Sequence, residues 1–115
     1  MLPPLTSLNE IAEAIEAAKQ SGKLMLLKFG AKWCKPCNLI APMAHRIVTA
    51  NSDFLVGYEI DVDVVHESLT HFNVHKLPTF LLIDQGNVHK VWSGGDSLAL
   101  ENNVYDAIDE VKGKK

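Results

Sequence analysis

The chain has 115 residues, of which 47% are hydrophobic and 22% charged, the balance of an ordinary globular protein. One domain over residues 1–115 is expected at that length, and folding should bury roughly 65% of the surface the unfolded chain exposes, enough for one core without staples. Lys and Arg number 11 against 14 Asp and Glu, a formal charge of −3, which argues against a nucleic-acid platform and its basic face. No apolar run approaches the roughly 20 residues that span a bilayer, so a membrane is not expected as a partner either.

Met1-Leu2-Pro3-Pro4-Leu5 lacks the charged region and long apolar run of a secretory leader. The only two cysteines lie three apart, unlike the wide spacings of a secreted disulfide scaffold, so the expected location is cytoplasmic. A short strand over Leu2–Thr6 is allowed for. Ser7 followed three residues later by Glu10 has capping-box spacing, and Leu8, Ile11, Ala12, Ile15 and Ala18 form the apolar stripe of a helix that Gly22 should end. Leu24 to Phe29 is apolar at nearly every position, the pattern of a strand buried on both faces, with Lys28 as the exception. A second helix is expected through Leu39–Val48, starting near the first cysteine and kinked at Pro42. Asn51-Ser52-Asp53 then turns into a buried strand over Phe54–Ile60, and Val64–Phe72 reads as a short helix. Leu77-Pro78-Thr79 breaks the pattern before a strand over Phe80–Ile83. Asp84-Gln85-Gly86-Asn87 is a hairpin turn, returning as an antiparallel strand over Val88–Trp92. A helix over Ser97–Val111 follows, and the basic tail Lys112–Lys115 is expected to fray. The order predicts an α/β fold.

The chemistry concentrates in Phe29-Gly30-Ala31-Lys32-Trp33-Cys34-Lys35-Pro36-Cys37. A bare Cys-x-x-Cys fits a redox pair or a metal knuckle alike; between a buried strand and a helix, the redox reading gains. A helix N-terminus carries unpaired amides and a partial positive charge that stabilise a thiolate, lowering the thiol pKa. A second cysteine one turn later can attack a mixed disulfide and release the reduced substrate. Pro36 has a φ suited to the first helical turn, and Lys35 adds positive charge beside Cys34.

With these residues in view, the chain resembles the thioredoxin family. Trp33 to Cys37 match its Trp-Cys-x-Pro-Cys core, Ala41-Pro42 its helix-kinking proline, and Leu77-Pro78-Thr79 its cis-proline loop; Gly86 and Gly94 fall where the family keeps glycines. The resemblance implies a thioredoxin fold: a central mixed sheet of four or five strands with helices on both faces. It further implies that Cys34 is the attacking nucleophile and Cys37 the buried resolving thiol, with Trp33, Lys35, Pro36, Leu77, Pro78 and Gly94 contributing to substrate binding. The expected function is reduction of protein disulfides by dithiol–disulfide exchange. No cofactor or metal is implied beyond the redox-active Cys34–Cys37 disulfide. The implied partners are protein disulfide substrates and a thioredoxin reductase-type electron donor, the protein itself being a monomer. A more oxidising disulfide oxidase or isomerase, or a binding module without turnover, are the alternatives.

Two departures stand out. Lys28 occupies the position of the family's buried acid, and Gly57 that of the acid's usual lysine partner. An unpartnered buried lysine is costly, and Glu59, on the same face of the neighbouring strand, could reverse the pair. Lys28, Glu59 and Lys35 are therefore the expected pKa-tuning residues. Lys35 stands where typical members carry glycine and, by stabilising the thiolate, should make the protein somewhat more oxidising.

The remaining candidates have plainer readings. His71 and His75 have ligand-like spacing, but 33 residues separate His71 from Cys37, so His45, His66, His71, His75 and His89 are read as surface residues, His75 being nearest the active site. Phe29, Phe54, Ile60, Phe80 and Leu82 are read as core and Trp92 as packing on the last strand. Trp33 is read as local surface beside the thiol. Asp61 and Asp63 are read as a solvated strand end, and Lys32 as exposed charge or a steering group for acidic partners.

Overall fold

The computed structural model describes residues 1–113, leaving Lys114 and Lys115 of the expected frayed tail outside the described residues. In chain order the elements are α1 (Leu8–Ser21), β1 (Leu24–Gly30), α2 (Lys35–Ala50), β2 (Leu55–Asp61), α3 (Ser68–His71), β3 (Thr79–Asp84), β4 (Asn87–Ser93) and α4 (Ser97–Gly113). The Ser7 hydroxyl caps α1 by accepting the Glu10 amide at 3.0 Å. The Glu10 carboxylate turns back one residue further than a capping box requires, accepting the Thr6 amide at 2.6 Å and its hydroxyl at 2.7 Å. Gly22 ends the helix at φ 71°, a left-handed conformation that favours glycine.

The four strands form one mixed sheet in the order β2-β1-β3-β4, with β1 parallel to β2, antiparallel to β3, and β4 antiparallel to β3. Side chains alternate across a strand, and each face meets its own helices. Met25, Leu27 and Phe29 pack with Ile11, Ala14 and Ala18 of α1 on one face. Leu24 and Leu26 pack with Ile40, Ala44 and Ile47 of α2 and Leu100, Val104 and Ile108 of α4 on the other. Every residue of β1 is buried, as expected of a central strand covered on both sides.

Several boundaries differ from expectation. The leading strand reduces to a single bridge, Pro4 to Glu59, because Pro3 and Pro4 carry no amide hydrogen to extend a ladder. The Leu5 amide donates to the Glu59 carbonyl and the Glu59 amide to the Pro3 carbonyl. The helix expected over Val64–Phe72 shrinks to the four residues of α3, with Val65 drawn into the core from the turn before it. The second helix starts at Lys35, next to the first cysteine as expected, with Pro42 inside it, and runs past Val48 to Ala50. Ala12 is exposed, and Ala14 takes its place in the stripe. Phe54 precedes β2 and is only partly buried, with the Lys112 ammonium 4.6 Å above its ring; Lys112 and Gly113 continue α4 past Val111. Phe29, Ile60, Phe80 and Leu82 are core residues, and Trp92 stacks on Phe80 at 5.3 Å between ring centroids. Its indole N–H is buried and has no hydrogen-bond partner among the described residues. The hairpin carries positive φ at both central residues, Gln85 (52°) and Gly86 (82°), as a two-residue turn of the twist-matching type requires.

Candidate active site

Because β1 and β2 run parallel, their C-terminal ends share one edge of the sheet, with Gly30 opposite Asp61. β3 runs the other way and starts at that edge, Thr79 lying opposite Phe29. The topology therefore gathers three loops: residues 31–34, residues 62–67 and residues 72–78. The two cysteines sit at this junction as a Cys34–Cys37 disulfide with the Cα atoms 5.3 Å apart. Cys34 is the N-cap of α2, its sulfur accepting the Cys37 amide at 3.3 Å. Pro36 stands in the first helical turn, where its missing amide hydrogen costs nothing. The two sulfur residues differ in access: Cys34 keeps 5% of its surface and lines a groove, whereas Cys37 keeps 1% and does not.

The groove holds about 730 Å³. Trp33, Cys34 and Pro36 form one side, and Val62, Leu69, Val74 and Leu77 supply apolar lining. Lys35, Asp63, His66, His75 and Lys76 bring the polar groups. Trp33, 71% exposed, is held by its indole N–H, which donates to Asp63 Oδ2 at 2.9 Å. The Asp61 carboxylate in turn accepts the Asp63 amide at 2.9 Å, so both acids order the loop that positions the tryptophan. The Leu77–Pro78 bond is cis. Pro78 and Gly94 do not line this groove; they are tied to each other, the Gly94 amide donating to the Pro78 carbonyl at 2.8 Å. Gly95 packs closely on α2, where a Cβ would lie 3.2 Å from Pro36 Cβ.

Behind the disulfide, Lys28 retains 1% exposure, and its ammonium donates to both oxygens of Glu59, at 2.7 and 2.9 Å. The two residues are register partners on β1 and β2. A side chain at Gly57 reaching for residue 28 would displace Val48, since a Cβ there would meet its Cγ2 at 2.6 Å. Gly30 separates this pair from the cysteines, because a Cβ on it would lie 3.3 Å from Cys37 Sγ and 3.6 Å from Glu59 Oε1. Glu59, 31% exposed on its side chain, also opens on a cleft of about 230 Å³ shared with Gly30, Ala31 and Asn38. A carboxylate, an ammonium and a buried sulfur thus converge around one glycine.

Sequence reasoning missed Asp63, His66 and Lys76, and the apolar Val62, Leu69 and Val74, as groove residues. For Val62, Asp63 and His66 the signal was available, because residues following two parallel strands of one sheet must emerge together. All five histidines are exposed; His66 and His75 meet the groove, His71 packs edge-on against Phe72, His89 pairs with Glu110, and His45 lies on α2. Among the described residues, no three of His, Cys, Asp or Glu form a metal-holding group, and no helix is long and apolar enough to cross a membrane. Lys32 is exposed, its carbonyl accepting the Asn38 amide group at 2.9 Å.

The thioredoxin family profile matches residues 7–106. Thioredoxin of Gallus gallus is 33% identical over 103 residues, covering 89% of this chain and 97% of its own. Thioredoxin H4 of Arabidopsis thaliana is 34% identical over 74 residues, covering 64% of this chain. The chain spans 62% of the length of that relative, and 60% of Thioredoxin-T of Drosophila melanogaster. Among solved structures, Fasciola hepatica thioredoxin superposes with a TM-score of 0.85 at 26% identity, covering 91% of this chain and 98% of its own.

Proposed function

The chain belongs to the thioredoxin family, and from that premise we propose that it is a thiol–disulfide oxidoreductase that reduces disulfides of protein substrates. The observation that carries this reading is the asymmetry of the Cys34–Cys37 pair, one sulfur opening on a groove at a helix N-terminus and the other buried behind it. In the reduced protein the Cys34 thiolate attacks one sulfur of the substrate disulfide. A mixed disulfide forms, and the other substrate sulfur leaves as a thiolate that takes a proton from water. Cys37 then loses its proton and attacks Cys34 Sγ, which expels the second substrate thiolate and closes the protein disulfide. Two electrons pass to the substrate. A dithiol donor of the thioredoxin reductase type returns them, and the cysteine pair is the whole redox cofactor.

The supporting residues take the following roles in this reading. Trp33, Pro36 and Leu77 border the bound substrate backbone, while Pro78 and Gly94 shape the loops beside it. Lys35 stabilises the Cys34 thiolate with its ammonium. The Lys28–Glu59 pair places charge on the far side of Gly30 from Cys37, where the carboxylate can receive the Cys37 proton. The protein acts as a single monomeric domain in the cytoplasm.

Mixing the pre-reduced protein with a disulfide-linked peptide tests the reading directly. Cys37→Ser should accumulate a mixed disulfide with one peptide half, seen by mass spectrometry, and Cys34→Ser should give neither adduct nor turnover. A Cys37→Ser protein that never forms the adduct sinks the proposal. In redox buffers, Lys35→Gly should move the two-electron transition to a more reducing potential, since it removes the cation that favours the reduced form.

A further inference from the structure

Four basic side chains meet the groove, and one acidic one. Lys35 comes from the first turn of α2, His66 from the loop after β2, and His75 and Lys76 from the segment before β3. The single carboxylate, Asp63, is already engaged by the Trp33 indole. Neither Lys35 nor Lys76 forms an ion pair among the described residues, where the paired lysines are Lys28 and Lys90. The backbone at residue 76 is nevertheless fixed, because the Thr79 hydroxyl donates to its carbonyl at 2.5 Å. His75 is oriented as well, its Nε2 lying 2.7 Å from the Asn73 side-chain oxygen. The surplus of cations belongs to the groove and not to the molecule, whose net charge is −3.

We propose that the groove selects disulfides flanked by acidic side chains: protein segments with Glu or Asp within a few residues of the target cysteine. The carboxylates meet Lys76 and Lys35, while apolar neighbours lie on Leu69 and Val74. This rests on the reductase reading above and adds the substrate class to it. Charge complementarity of this kind acts mainly on encounter and orientation, and exposed pairs are individually weak. The expected preference is therefore modest.

Two disulfide-linked peptides identical except for two Glu or two Gln residues beside the cysteine provide the probe. Single-turnover rates with the pre-reduced protein should favour the Glu peptide about fivefold at low salt, two exposed pairs acting together. The ratio should fall toward one at about 0.5 M salt, where screening reaches within a few ångströms. Lys76→Glu should invert the ratio and Lys76→Gln should lower it, the milder variant standing in if the charge reversal disturbs folding. Equal wild-type rates for the two peptides overturn the selectivity, as does a Glu preference that survives both Lys76 variants. Failure to reduce even the Gln peptide overturns the reductase reading, and the selectivity with it.

Discussion

Lys28 is the residue at which the sequence pattern of β1 fails and the structure supplies the reason. Six buried neighbours in the strand make an ammonium there untenable alone, and Glu59 was legible as its partner from same-face spacing. The bidentate contact at 2.7 and 2.9 Å fulfils that expectation. Why the partner is not at residue 57 was not legible, because only the packed α2 reveals Val48 against Gly57. Removing one member of such a pair leaves the other buried without a counter-charge, which costs more than removing both. Glu59→Gln is therefore expected to lower stability by about 2 kcal/mol, less than for a fully buried pair because Glu59 reaches solvent. Lys28→Met added to it should restore most of that loss. Urea denaturation of the two variants checks the order; if Glu59→Gln unfolds at the wild-type midpoint, the ammonium has another route to compensation. Asp63 is the opposite case. Its carboxylate reads as solvated in the sequence, and the indole it holds lies 30 positions away, beyond any local signal.

At the scale of elements, segments with a long apolar stripe or an unbroken apolar run were legible and short mixed ones were not. α1 and α4 show the stripe of a helix, β1 and β3 the near-continuous apolar run of a strand covered on both faces, and the caps of α1 agree with its expected limits. α3 spans four residues, too few for a period, and its neighbourhood is set by Val65 and Val74 docking into the core. The leading segment held its own warning in Pro3 and Pro4. The packing of α2 on β2 depends on a contact that no periodicity announces: Val48 occupies the space above Gly57, so that a Cβ would fall 2.6 Å from its Cγ2. Gly57→Ala should therefore act as overpacking and destabilise by about 1–3 kcal/mol. Pairing it with Val48→Ala should recover part of the loss, because the second change vacates the contested volume. Thermal denaturation of the single and double variants distinguishes this from a backbone effect. Were the double variant the plain sum of its parts, the two residues would not share that space.

For the whole molecule, the order of elements indicated an α/β fold and the resemblance implied a mixed sheet with helices on both faces, while the strand order β2-β1-β3-β4 came only from the structure. The acid limb of stability is likewise distributed, resting on carboxylates at opposite ends of the chain. Glu10 at the start of α1 has its pKa lowered by the Thr6 hydroxyl first and the Thr6 amide second. Glu110 on α4 is lowered first by its hydrogen bond to His89, with Lys90 and the His89 charge adding to it. The latter contact, 2.6 Å from His89 Nε2, ties the C-terminal helix to the edge strand β4. A carboxyl whose folded pKa lies below its unfolded value binds protons more readily when the chain is unfolded. Its contribution is complete above the unfolded pKa and is lost as pH falls through the folded one. Both residues are exposed, so the effect is modest and should be sought as a difference. Wild type should exceed a Glu10→Gln/Glu110→Gln variant in stability at neutral pH, and the gap should close as pH drops below the ordinary carboxylate range. Urea midpoints measured across that interval decide the matter. A gap of constant size would assign the contribution to hydrogen bonds that a neutral amide makes equally well, and not to the two charges.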